Sequence, residues 1–128
     1  MTAAPVRLVL DSTAVADYAG GSVAVGELIV EVADEQARVA VPLACLVEAY
    51  RRVREAQLSA VTLLVEHPAV DVVEADPGDW VALGGLARDL GSADAAGALL
   101  LALDCDGYVV TAAPDRYGDW KELPVIAV

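Results

Sequence analysis

The chain has 128 residues, 20 Asp and Glu against 8 Lys and Arg, and a formal net charge of −12, while 57% of its positions are apolar. That length suits one compact domain spanning residues 1–128, and so high an apolar fraction excludes intrinsic disorder, which pairs high net charge with low hydrophobicity. The acidic balance argues against holding nucleic acid by bulk charge, which draws on clustered Lys and Arg; a polyanionic substrate would need a cation carried into the site.

The first predicted element is a buried strand, Val6–Leu10, rich in β-branched residues and stopping at Asp11-Ser12-Thr13, a helix N-cap pattern. A short helix over Ala14–Ala19 is broken by Gly20-Gly21, and Ser22 caps a longer one to about Gln36 with Val25, Leu28, Ile29 and Val32 on one face. Arg38–Val41 reads as a link to Pro42, which opens a helix to about Glu55 that carries Leu43, Leu46, Val47 and Tyr50 inward. A helix over Leu58–Glu66 ends before His67-Pro68. Val70–Glu74 reads as a second strand, and Asp76-Pro77-Gly78-Asp79 as a turn leading into a helix that stops at Gly91. Ser92 caps the helix from Ala93 to about Leu103, which is apolar almost all round; Tyr108–Thr111 and Val125–Val128 are the third and fourth strands.

Strands alternating with helices predict an α/β fold, a three-layer α/β/α sandwich around a central, mainly parallel sheet of about four strands. The most apolar runs, Val6–Leu10 and Ala95–Leu103, are far shorter than the roughly 20 residues of a membrane-spanning helix. No export signal is legible, and Cys45 and Cys105 lack metal-ligand spacing, so buried thiols in a reducing cytoplasm are expected.

Three acids stand where a sheet protein has little ordinary use for them. Asp11 ends the first strand, Glu48 interrupts an apolar helix and Asp94 opens another. Uncompensated buried charge is costly, so such acids pair with a base, bind a cation or take up a proton. With few basic residues available, a divalent cation held by oxygen ligands, Mg²⁺ or Mn²⁺, is the economical expectation. Each acid also has a plainer use. Asp11 can cap a helix, Asp94 can complement a helix dipole, and Glu48 can pair with Arg51 or Arg52.

Val9-Leu10-Asp11-Ser12-Thr13-Ala14, Val41-Pro42 followed by Val47-Glu48, Asp94-Ala95-Ala96, and Val109-Val110-Thr111 followed by Pro114-Asp115-Arg116-Tyr117 together resemble a PIN domain, and more narrowly the VapC-type toxin ribonucleases of bacterial toxin–antitoxin pairs. The resemblance runs in order over essentially the whole chain. It implies a PIN-like fold, a homodimer, an endoribonuclease that cleaves RNA with metal-activated water, and a small antitoxin that covers the acidic pocket. Carried over residue by residue, Asp11, Glu48 and Asp94 are the catalytic and metal-binding acids, with Ser12 and Thr111 supporting them. The family's fourth acid falls on Ala113, so Thr111-Ala112-Ala113 lacks it; Asp115 is the nearest substitute as a metal ligand. Loss of that acid makes a degenerate PIN-like binding or regulatory module the alternative to the nuclease. Arg51, Arg52 and Arg116 are candidate phosphate contacts, although a solvated helix end explains the first two and packing explains Arg116 with Tyr117 and Trp120. His67 has no visible catalytic partner, and Gly84-Gly85 lies in a helical pattern without the further glycines of a phosphate-binding loop.

Overall fold

In the computed structural model, which describes residues 4–128, the helices and strands alternate as expected, but the sheet has five strands, all parallel. The elements in chain order are β1 (Val6–Leu10), α1 (Ser12–Ala19), α2 (Val23–Asp34), β2 (Arg38–Pro42), α3 (Leu43–Arg52), α4 (Leu58–Glu66), β3 (Val70–Val73), α5 (Trp80–Leu90), α6 (Ala93–Cys105), β4 (Tyr108–Thr111) and β5 (Val125–Ala127). The strand order is β3-β2-β1-β4-β5.

The fifth strand is β2, the segment expected to be a link. Arg38–Pro42 pairs with β1 on one side and β3 on the other, and its residues from Val39 onward are buried. A strand buried on both faces shows no alternation of apolar and polar residues, so its flanking partners, rather than its own pattern, decide what it is.

Each strand of the centre feeds both layers. Leu8 and Leu10 of β1 pack into the core shared with α1, α2 and α4, through Val15, Val25, Ile29 and Leu64. Val9 points the other way, into the core of α6, with Ala95, Leu99, Val109 and Tyr117. The result is the three-layer α/β/α sandwich. The chain runs outward from β1 to β3, then returns through α5 and α6 to place β4 on the other side of β1. In open parallel sheets, a crevice forms at the carboxyl ends of the strands where the order reverses in this way. Here it lies between β1 and β4, beside Asp11 and Thr111.

One helix faces differently from its periodicity. The residues of α3 that are buried are Cys45 and Ala49, while Leu43, Val47 and Tyr50 are exposed, the last at 62%. Leu46 packs against the core as expected, small side chains let α3 approach the layers beneath it, and Leu43, Val47 and Tyr50 are left as an outward stripe. The α2 face is as expected, with Val25, Ile29 and Val32 buried and Leu28 packed against them.

The turn between α6 and β4 approaches β1 equally closely. A Cβ added at Gly107 would lie 2.8 Å from the Arg7 carbonyl oxygen, next to the register irregularity of β1 against β2. Neither backbone can yield freely, so Gly107→Ala is expected to destabilise the fold by about 1–3 kcal/mol, read as a lower urea midpoint in chemical denaturation.

Candidate functional site

Asp11 follows β1, and its backbone N–H extends the β1–β4 ladder by donating to Val110 O. Its side chain caps α1, with Oδ1 accepting from the Ala14 N–H at 3.0 Å and from the Thr13 hydroxyl at 2.6 Å. The cap expectation therefore holds, and it uses only one of the two carboxylate oxygens. Its other oxygen, Oδ2, accepts from the Tyr117 hydroxyl at 2.7 Å and from Arg116 Nη1 at 3.3 Å. The residue is fully buried.

Asp94 enters from α6. The Ser92 hydroxyl donates to Asp94 Oδ1 at 2.6 Å and caps the helix by accepting from Ala95 N–H. The Ser12 hydroxyl donates to Asp94 Oδ2 at 2.5 Å, which ties the start of α1 to the start of α6. Arg116 completes the group. Its Nη2 donates to Asp94 Oδ2 and to Ser92 Oγ, each at 2.9 Å, while Nη1 donates to Asp11 and to Ser12 Oγ. One planar guanidinium thus spans both carboxylates, a geometry that suits Arg and not Lys.

The turn after β4 aims this side chain. Thr13 spends its single proton on Asp11, so the hydroxyl contact of 3.0 Å between Thr13 and Thr111 has Thr111 as donor. Thr111 in turn accepts from Ala113 N–H, and Thr13 accepts from Ala112 N–H. Thr111 therefore supports the site by locking the chain that carries Ala113. Pro114 then opens a 3-10 turn, Pro114–Tyr117, closed by Gly118 at a φ of +66°. This turn presents Arg116 to the acids and buries Tyr117 beneath them.

Burial pushes the Asp94 carboxyl up, but the Ser12 and Ser92 hydroxyls and the Arg116 guanidinium outweigh it and hold the group at about 2. A carboxylate depressed in the folded state stabilises the fold above its unfolded value of about 4, and that stability disappears as the pH falls toward 2. We expect about 1–2 kcal/mol to be lost across this window after allowing for partial exposure. Urea midpoints measured against pH would show it, and Asp94→Asn would lack that share of the acid sensitivity. Burial, then the Asp11 charge, pushes the Tyr117 phenol far up, so it stays a donor. Burial and the neighbouring Asp94 and Asp11 likewise keep Cys45 a thiol, donating to Asp94 O. Cys45 and Cys105 are both free.

Glu48 does not join Asp11 and Asp94. It is turned to its own helix, accepting from Arg51 at 2.6 Å and from Arg52 at 2.8 Å, and these two contacts hold it at about 2. The plainer expectation is the one realised, and Arg51 and Arg52 are occupied by it. Exposed pairs of this kind add little stability. Glu48 nevertheless lines the same cleft as Ser92, Asp94 and Arg116, a volume of about 1000 Å³. Asp115 is exposed in the turn and makes no side-chain hydrogen bond to the cluster. His67 accepts from Ala69 N–H through Nδ1, a structural role.

A divalent cation has to be tested against this arrangement. Both Asp11 oxygens and both Asp94 oxygens already accept hydrogen bonds, and the guanidinium lies between the two acids, where a bridging cation would have to be. The third acid is held by arginines and the fourth is Ala113. Among the described residues, no group of three or more metal-ligating side chains comes together. So arranged, the residues do not fit Mg²⁺ or Mn²⁺.

The sequence offers Arg116 as a phosphate contact or as packing, and does not show it as the counter-ion of the acids. The available signal was the combination of a missing acid at Ala113 with an arginine three residues later. No protein-family model and no curated protein matches the chain.

Proposed function

We propose that the chain is a degenerate PIN-like domain whose acidic site is occupied by its own arginine, and that it serves as a binding or regulatory module with little or no nuclease activity. The observation that carries this is Arg116, set between Asp11 and Asp94 at 3.3 and 2.9 Å in a chain with alanine at position 113. Opening a buried ion cluster by taking one partner away is strongly destabilising, because it leaves an uncompensated buried charge. An antitoxin-like partner inserting its own cation would find that position taken, so protein contacts elsewhere are the expected mode of action. The outward stripe of Leu43, Val47 and Tyr50 on α3 suits self-association into a homodimer. Among the described residues no helix is long and apolar enough to cross a membrane.

The second reading is the metal-dependent endoribonuclease, favoured by Glu48 sharing a cleft with Asp94. Single-stranded RNA incubated with the protein and Mn²⁺ separates the two. The proposal expects no metal-dependent cleavage by the unaltered chain. Cleavage that disappears in Asp94→Asn would overturn it in favour of the nuclease, and Ala113→Asp, which restores the fourth acid, would then be the more active form.

A further inference from the structure

A second hollow lies between α5 and α6, closed at one end by Leu43 and by the residues after β3, with a volume of about 580 Å³. Its floor is apolar, formed by Ala87, Leu83, Leu100 and Leu101 together with Gly84 and Gly97. Both glycines are interior to helices, where glycine is unfavourable relative to alanine. Neither has a positive φ, and a Cβ added at either would meet nothing within 4 Å. Backbone geometry and crowding therefore give no reason for them, and their effect is to keep the floor open.

The mouth is of one sign. Glu74, Asp76, Asp79 and Asp104 line it, and no Lys, Arg or His does. Among the described residues none of the four takes part in an ion pair, unlike Asp71, Glu48, Asp11 and Asp94. This chemistry selects the occupant. An anion, or an acidic surface of another protein, is repelled by this field. A wholly apolar ligand would bury carboxylates without a counter-charge. Small-ligand pockets are commonly about 300–1,000 Å³, mostly apolar with a few convergent polar groups.

We propose that this groove binds a small cationic amphiphile, an organic ammonium compound whose apolar body lies over Gly84 and Gly97 and whose charged head meets the acids of the mouth. The hollow adjoins the Arg116 cleft, sharing Leu43, Glu74 and Ala93 with it, but none of Asp11, Ser12, Ser92, Asp94 and Arg116 lines it, so the proposal does not rest on that cluster.

Calorimetric titration of the full chain with octylammonium, octanoate and spermidine at neutral pH and low salt tests it. Octylammonium is expected to bind saturably at one site, with octanoate and spermidine at least tenfold weaker. Gly97→Leu, which fills the hollow, is expected to abolish that binding while leaving the melting temperature equal or higher. Should Gly97→Leu melt lower, Gly84→Leu repeats the filling test, and Asp79→Asn with Asp104→Asn, both on the surface, tests the mouth and is expected to weaken octylammonium at least tenfold. Absence of saturable octylammonium binding, equal binding of octanoate or spermidine, or binding that survives both the filling and the charge variants would overturn the proposal. None of these results depends on whether the protein binds Mn²⁺ or cleaves RNA.

Discussion

Replacing Arg116 by methionine is expected to cost about 3–5 kcal/mol of stability, because it strands a fully buried carboxylate and a second, mostly buried one without their shared cation. For a domain of this length that is a fall in Tm on the order of 10 °C. A stranded pair of carboxylates recovers by taking up a proton or a cation. The variant's melting temperature should therefore rise when Mn²⁺ is added or the pH is lowered from neutral toward the carboxylate range, and the unaltered protein's should not. Arg116→Lys keeps the charge but replaces a fork that reaches Asp11, Ser12, Ser92 and Asp94 by a single ammonium, so an intermediate loss is expected. Thermal melts of the three proteins with and without Mn²⁺ check the whole set.

Asp11→Ala is expected to be comparably damaging, at about 3–5 kcal/mol. It removes the α1 cap at Ala14 N–H, the acceptor of the Thr13 and Tyr117 hydroxyls, and one of the two charges facing Arg116. The Tyr117 hydroxyl would be left buried without a partner. Tyr117→Phe, which deletes that donor and keeps the ring, should cost about 1.5–3 kcal/mol, the range for a hydrogen bond to a charged group. Since Asp11 and Arg116 touch, combining Asp11→Ala with Arg116→Met should cost clearly less than the two losses added, and urea midpoints of the double-mutant cycle measure the difference.

Much of the fold was legible because local signals agreed with the tertiary answer. Asp11, Ser22 and Ser92 do cap helices, Gly91 does end one in the left-handed region, and β1, β3 and β4 sit where β-branched runs place them. Arg38–Pro42 was not, because a short strand buried on both faces looks like any apolar segment until β1 and β3 flank it. The facing of α3 was misread for a related reason. Periodicity marks a stripe of large apolar residues, but close packing favoured Cys45 and Ala49 and left Leu43, Val47 and Tyr50 outside.

The candidate site divides in the same way. That Asp11 and Asp94 would need compensation followed from their placement at a strand end and at the start of an apolar helix. Which group compensates them did not, since Arg116 lies 105 residues from Asp11 and 22 from Asp94, and only the adjacency of β1 and β4 brings the three together. Glu48 looked equivalent in sequence, yet the arginines one helical turn away settle its orientation. The excess of acid over base in the whole chain persists at the site, where one arginine answers two carboxylates and leaves a net charge of −1.

Calorimetric titration of Mn²⁺ into the unaltered protein and into Arg116→Met at neutral pH tests most directly that this arginine occupies the cation's place. No measurable binding to the unaltered protein and saturable binding to the variant is the result expected; saturable, micromolar binding to the unaltered protein would contradict it.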